Sequence, residues 1–303
     1  MARENWTRLK AALEAEAPEA SGVFAIWPDE GVAPGSEGWD WQERTAQIPW
    51  ATRPRRYSRN VVIPSLTLHR PPAGTANGSL LIVAPGGAFH FLMIDFEGHD
   101  MARWLTGLGV TVAVLKYRVA RTPDADDEVL AFRDELQRRL AESRREDGPR
   151  PTSPLQPIRH MGEDDGRQAI RFARRHAAEW GIDPNRIGIA GYSAGGGVAL
   201  GAAMEHDAES RPDFAVGIYA AWRADLVVPL NPPPLFLAIS DDDPSVPSAS
   251  STHLYEAWHK AGGTAELHVF GDGGHGWGMA KDGYLADAWT GLLEHWMRWR
   301  GLL

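Results

Sequence analysis

Residues 186–197 read RIGIAGYSAGGG. An apolar run, Ile187–Ala190, leads into Gly191-Tyr192-Ser193-Ala194-Gly195, and a small-residue helix is expected from about Ala194. This is a strand, a sharp turn and a helix, with G-x-S-x-G at the turn. Such a turn forces Ser193 into strained backbone angles and lifts its Oγ above the sheet. Glycine is required on both sides because side chains there would collide with the strand and the helix. The Ala194 N–H, at the helix start, then points to where a negative oxygen would develop. The plain alternative is a glycine-rich packing turn with an incidental serine.

Serine alone is a poor nucleophile, and it needs a base that is itself oriented by a carboxylate. On this kind of turn the acid and then the histidine follow the serine in the chain. FLAISDDDPSVP supplies three acids just past a strand: Asp241, Asp242 and Asp243. VFGDGGHGWG supplies His275, framed by Gly273, Gly274 and Gly276. The other ten histidines fall mostly on strands, helices or early loops, and of these only His90 lies near the expected site. Further oxyanion donors are expected from the loop APGGAF (84–89), at Gly87 and Ala88.

The rest of the chain supports a fold in which this turn makes sense. SLLIVAPGG (79–87), VTVAVLKY (110–117), RIGIAGY (186–192), FAVGIYAAW (214–222), PLFLAIS (234–240) and AELHVF (265–270) read as strands. NVVIPSLTLHRP (60–71) alternates and reads as an earlier one. Helices are expected at roughly 96–107, 163–182, 248–261 and 284–299. Strands apolar along their length, alternating with helices, predict an α/β fold: a doubly wound, mostly parallel sheet with helices on both faces. A single domain over 1–303 is expected. It carries an extended N-terminal arm (about 1–60), aperiodic and rich in Gly, Pro and Trp over 22–60, and a helical insertion (about 120–160). Within that insertion Val129, Phe132, Leu136 and Leu140 keep helical spacing on a highly charged background. It reads as an exposed amphipathic helix, with a small lid or a homo-oligomer contact as the alternative.

Composition narrows the function. The net charge of −9 argues against nucleic acid and anionic membrane as partners. With no cysteine, disulfides, thiolate metal sites and a cysteine nucleophile are excluded, which suits a reducing, cytoplasmic location. The N-terminus lacks the apolar core of a signal peptide, and no apolar run approaches a membrane span. GDGGHG (271–276) matches a dinucleotide-loop spacing, but no helix is expected to open at its last glycine. HMGEDDG (160–166) could offer metal ligands, but a capped helix start explains it better. No cofactor and no metal are expected. Among thirteen tryptophans, most belong to packing; Trp222 and Trp277, near a strand end and the His275 loop, are candidates for stacking on a sugar ring.

The motifs APGGAFHFL, GHDMARWLTGLGVTVAVLKYRVA, GIDPNRIGIAGYSAGG, DDDPSVP and GGHGWG occur in that order from about residue 80 to 280. In this the chain resembles the α/β-hydrolase-fold esterases, in the branch that includes acetyl-xylan and other carbohydrate acetyl esterases. The resemblance implies a catalytic Ser193, Asp243 and His275, the acid being the aspartate that immediately precedes proline. It implies an oxyanion hole at Gly87, Ala88 and Ala194, and hydrolysis of short acyl esters of carbohydrate. One departure is Ala88, where that branch usually has a third glycine; its methyl narrows the pocket. The alternatives are a broad carboxylesterase acting on non-sugar esters and, from another class, an inactive hydrolase fold used as a binding module.

Overall fold

The computed structural model describes residues 2–28, 32–49, 54–143, 156–223 and 225–303. Its strands are β1 (Gly22–Ala25), β2 (Arg44–Gln47), β3 (Arg56–Arg59), β4 (Ser65–His69), β5 (Leu80–Ala84), β6 (Phe91–Leu92), β7 (Thr111–Lys116), β8 (Ile187–Tyr192), β9 (Phe214–Ile218), β10 (Leu235–Ser240) and β11 (Ala265–Phe270). The α-helices among the described residues are α1 (Ala2–Glu16), α2 (Asp100–Thr106), α3 (Val129–Ser143), α4 (Gln156–Arg175), α5 (Ala177–Trp180), α6 (Ser193–Met204), α7 (Ser248–Lys260) and α8 (Trp289–Trp299).

Eight strands join in the order β1-β4-β7-β5-β8-β9-β10-β11. From β7 to β11 every pairing is parallel, while β4 is antiparallel to both β1 and β7. The strands β5, β7, β8, β9 and β10 are buried at every position, which is why their sequences run apolar without alternation. Helices cover both faces. On one, Ile158, Ala169, Val198, Leu254 and Trp258 of α4, α6 and α7 pack against Ile82, Ile189 and Leu237. On the other, Met101 and Leu105 of α2 and Trp289, Leu293 and Trp296 of α8 pack against Val83, Val114 and Val216.

The N-terminal region is more than an extended arm. β1 forms the edge of the main sheet, and β2 and β3 form a small antiparallel sheet with β6. The four-residue strands GVFA, RTAQ and RYSR are too short or too polar to display a period. The strand expected over 60–71 is confined to 65–69, its start set by Pro64, and β3 precedes it. Burial accounts for the polar residues at the end of β3 and just after it: Ser58, Arg59 and Asn60 are inaccessible. The Asn60 side chain accepts the Thr122 N–H at 2.8 Å, and the Arg59 guanidinium donates to the carbonyls of Pro123 and Asp124.

The charged insertion packs by its apolar stripe. Val129 is buried with Ile48, Tyr57 and Phe91, and Phe132 and Leu136 lie against them, so α3 covers the small sheet. The part of the expected insertion at 144–155 lies outside the described residues. Residues 160–166 sit inside α4 rather than at its start, and their acids have other partners than a helix N-terminus. Asp165 is fully buried and takes the Arg118 guanidinium through both oxygens, the Arg118 N–H at 2.9 Å and the Trp27 indole N–H at 2.7 Å. Arg118 also donates to the Pro34 carbonyl at 2.6 Å, so one ion pair fastens α4, the end of β7 and the N-terminal segment together.

Candidate active site

The nucleophile turn closes by steric necessity. A Cβ on Gly191 would lie 2.0 Å from the Gly195 carbonyl oxygen, and one on Gly195 would lie 2.1 Å from that of Ala84. Between them Ser193 is held at φ +51°, a left-handed conformation that a serine adopts only under constraint. α6 begins at Ser193, so the Ala194 N–H belongs to its unpaired first turn.

Ser193 Oγ lies 2.9 Å from His275 Nε2, and His275 Nδ1 lies 2.7 Å from Asp243 Oδ2. A carboxylate can only accept, so Nδ1–H donates to Asp243 and Nε2 is left to accept the serine proton. The Asp243 side chain is inaccessible, and its other oxygen accepts the N–H groups of Ser245 and Val246 at 2.6 and 2.9 Å. Its neighbours do other work. Asp242 accepts the Gly274 N–H at 2.8 Å and braces the histidine loop from outside, while Asp241 accepts the Ser248 hydroxyl at the start of α7.

The loop after β5 reverses sharply over Gly87, Ala88 and Phe89, with φ of +138°, +55° and +58°. The Gly87 carbonyl accepts the N–H groups of His90 and Phe91 at 3.0 and 2.9 Å, which closes the turn. Among the described residues, no protein acceptor takes the N–H of Gly87 or Ala88. Gly86, in contrast, donates its N–H to the Glu97 carboxylate at 2.7 Å. Ser193, Gly87, Ala88 and His275 all stay partly accessible beside one another at the carboxyl ends of β5 and β8.

The remaining sequence candidates are placed differently. Trp277 is a correction: only 5% of it is accessible. Its indole donates to Ser240 Oγ at 3.0 Å and its ring meets Tyr219 edge-on at 4.6 Å, so it supports the histidine loop and has no open face for a sugar. His90 is also enclosed, with Nδ1 2.9 Å from the Ala88 carbonyl oxygen and the ring 5.4 Å from Phe132 of α3. Burial pushes its pKa down, so it braces the Ala88 loop as a neutral ring rather than facing substrate. Trp222 is half-buried, its indole donating to the Ser250 carbonyl at 3.3 Å.

Sequence reasoning missed Glu97 and Tyr219. Glu97 sits on a single π-type turn, Asp95–His99, ahead of α2, where the His99 N–H reaches back to the Ile94 carbonyl. The wider turn sets Glu97 facing inward, almost fully buried. Its second oxygen accepts the Tyr219 hydroxyl at 2.7 Å. Only its place in the stretch FEGHD after the glycine loop could have drawn notice, and an acid on a helix reads as solvent-facing.

Among the described residues two other clusters bring three potential metal ligands within 4.8 Å of one another: Glu19, His69 and His99, and His160, Glu163 and Glu205. Neither contains a residue of the Ser193 constellation, and the Arg223 guanidinium already sits on His160 and Glu205. A groove of about 410 Å³ lined by Tyr255, Glu266, Trp296 and Arg300 lies at the β11 edge, apart from this site.

A family model described as BD-FAE matches residues 161–221, which contain the nucleophile turn. An acetylxylan esterase of Xylanibacter ruminicola is 22% identical over 254 residues, covering 73% of this chain and 46% of that protein. The chain therefore spans about half the length of the curated relative it matches. Among solved structures, an acetyl ester-xyloside bifunctional hydrolase from Caldicellulosiruptor lactoaceticus superposes with a TM-score of 0.64 at 24% identity, over 94% of this chain and 98% of that one. A thermophilic esterase from Thermogutta terrifontis with propionate bound gives 0.60 at 21%, over 80% and 91%. The same esterase is also known phosphorylated by paraoxon, at 22% identity, a TM-score of 0.60 and coverage of 80% and 91%. The fold is thus shared with these esterases, and in sequence the chain resembles an acetylxylan esterase. No helix among the described residues is long and apolar enough to cross a membrane.

Proposed function

We propose that the chain is a serine esterase that removes short acyl groups, acetyl foremost, from carbohydrate by an acyl-enzyme mechanism. The observation that carries this reading is the line of hydrogen bonds from Ser193 Oγ through His275 to buried Asp243, standing on a strained strand-to-helix turn. His275 Nε2 takes the Ser193 proton as Oγ attacks the ester carbonyl. The N–H groups of Ala194 and of Gly87 or Ala88 hold the oxyanion. The same proton passes from His275 to the leaving sugar oxygen, and water, deprotonated by His275, releases the acid and frees Ser193. Positioned base and oxyanion donors each contribute rate factors on the order of 10²–10⁴. Asp243 fixes the imidazole tautomer and stabilises the imidazolium. The sugar part of the reading rests on two of the named relatives, an acetylxylan esterase and an acetyl ester-xyloside bifunctional hydrolase. The acidic, cysteine-free composition supports a cytoplasmic place for the reaction and a neutral substrate rather than nucleic acid.

The test is hydrolysis of p-nitrophenyl acetate, butyrate and octanoate by wild type and Ser193→Ala, followed by acetate release from an acetylated xylo-oligosaccharide. Rates that fall with acyl length, vanish in the variant and extend to the sugar support the reading. Preference for octanoate with no acetate released from the sugar leaves a broad carboxylesterase instead.

A further inference from the structure

We infer that Glu97 and Tyr219 form a buried positioning pair that sets the oxyanion loop and the His275 loop against Ser193 for the reaction proposed above, on which this inference rests. Neither side chain faces substrate. Each is joined to a different loop of the site, and they are joined to one another.

The connections are short and specific. Glu97 holds the Gly86 N–H with one oxygen and the Tyr219 hydroxyl with the other, both at 2.7 Å. The Tyr219 oxygen in turn accepts the Gly278 N–H at 2.9 Å, three residues beyond His275. Its ring lies 4.8 Å from the His275 ring and carries Trp277 on its edge. The chain of contacts thus runs from the peptide next to Gly87, through one carboxylate and one phenol, to the loop that carries the base. A Cβ on Gly86 would fall 2.8 Å from Glu97 Oε2, 2.8 Å from the Tyr192 carbonyl oxygen and 3.0 Å from Ser193 Cβ. Gly86 is therefore packed tightly between this carboxylate and the back of the nucleophile turn.

Two further observations set this pair apart from ordinary core polarity. Tyr219 is held at φ +36° at the end of β9, a conformation that costs a bulky residue energy and persists where the surroundings demand it. Glu97 is buried without a bonded cation: only neutral donors hold it, whereas burial drives its carboxyl above the usual range. A merely structural acid at this depth is better served by an arginine, as Asp165 is by Arg118.

The experiment measures kcat and KM for p-nitrophenyl acetate, melting temperature, and the rate at which paraoxon phosphorylates Ser193, for wild type, Glu97→Gln, Tyr219→Phe and the double variant. Gln keeps the size of the side chain but offers one acceptor oxygen where the site uses two. We expect each single change to lower kcat and the phosphorylation rate by about 10–100-fold, since misplacement of order 1 Å has that effect, with KM changed less than about threefold. The double variant falls no further than the worse single one, because the two residues act as a unit. Single variants that melt lower yet keep wild-type kcat and phosphorylation rate overturn the inference, and so does full additivity. A wild type that neither turns over ester nor is phosphorylated overturns the esterase reading itself, and this inference with it.

Discussion

Asp165 and Glu97 are both carboxylates taken almost wholly out of water, and they are held in opposite ways. Desolvation raises the pKa of each. Against Asp165 stands the Arg118 guanidinium, bonded through both oxygens and itself buried. Against Glu97 stand a peptide N–H and a phenol. The first arrangement joins α4, β7 and the N-terminal segment, about the scaffold; the second joins loops that meet at Ser193. Asp243 belongs with the second kind, since its inaccessible carboxylate is held by two backbone N–H groups and a histidine. A buried acid locked to arginine is architecture. One held by backbone N–H groups, a phenol or a histidine at the Ser193 loops ties together the parts of the site.

The largest expected effect sharpens that division at Asp243. Asp243→Asn, which leaves the histidine in the wrong tautomer, should lower kcat about 10⁴-fold with little change in melting temperature, whereas Asp242→Asn should change it less than about threefold. Steady-state rates on p-nitrophenyl acetate decide between them, and equal losses would end the distinction drawn among the three aspartates. Next comes the scaffold pair. Arg118→Met strands Asp165 without its cation and should cost about 3–5 kcal/mol in urea unfolding, while the folded fraction keeps its specific activity. A stable but inactive variant would place Arg118 with the site instead.

A third expectation concerns pH. Glu163 lies buried 3.4 Å from Arg223, and desolvation pushes its carboxyl up to about 7 from 4.5. The native state then favours the protonated form, so the stability this group adds is present below about pH 4.5 and is lost as pH rises through about 7. Glu163→Gln removes that loss. Its melting temperature relative to wild type should be higher at about pH 8 than at about pH 5, and a constant difference at both would contradict the assignment. The smallest effect is expected at Ala88, a non-glycine residue at φ +55°. Ala88→Gly relieves strain of about 1 kcal/mol and widens the site. Slightly raised stability with relatively faster butyrate turnover is the expected result.

Much of this was legible in the chain because the relevant constraints are local. Strands β5, β7, β8, β9 and β10 are apolar throughout since they are buried on both faces, and the glycines at 191 and 195 answer clashes within one turn. What was not legible depends on partners distant in sequence. β2 and β3 are polar segments given meaning by Thr122, Pro123 and each other. Trp277 stands two residues from His275, and nothing local says that its ring turns inward. Glu97 is recognisable only once Gly86 and Tyr219, 11 residues before it and 122 after it, have come together.

The central claim is that Ser193 is the nucleophile, and the most direct measurement is to find where an acyl-ester mimic attaches. Wild-type protein treated with paraoxon and digested should carry one diethylphosphoryl group, mapped by mass spectrometry to the peptide bearing Ser193. Loss of the label in Ser193→Ala should accompany loss of esterase activity. A label on another residue, or an unlabelled protein that still hydrolyses p-nitrophenyl acetate, would contradict the account.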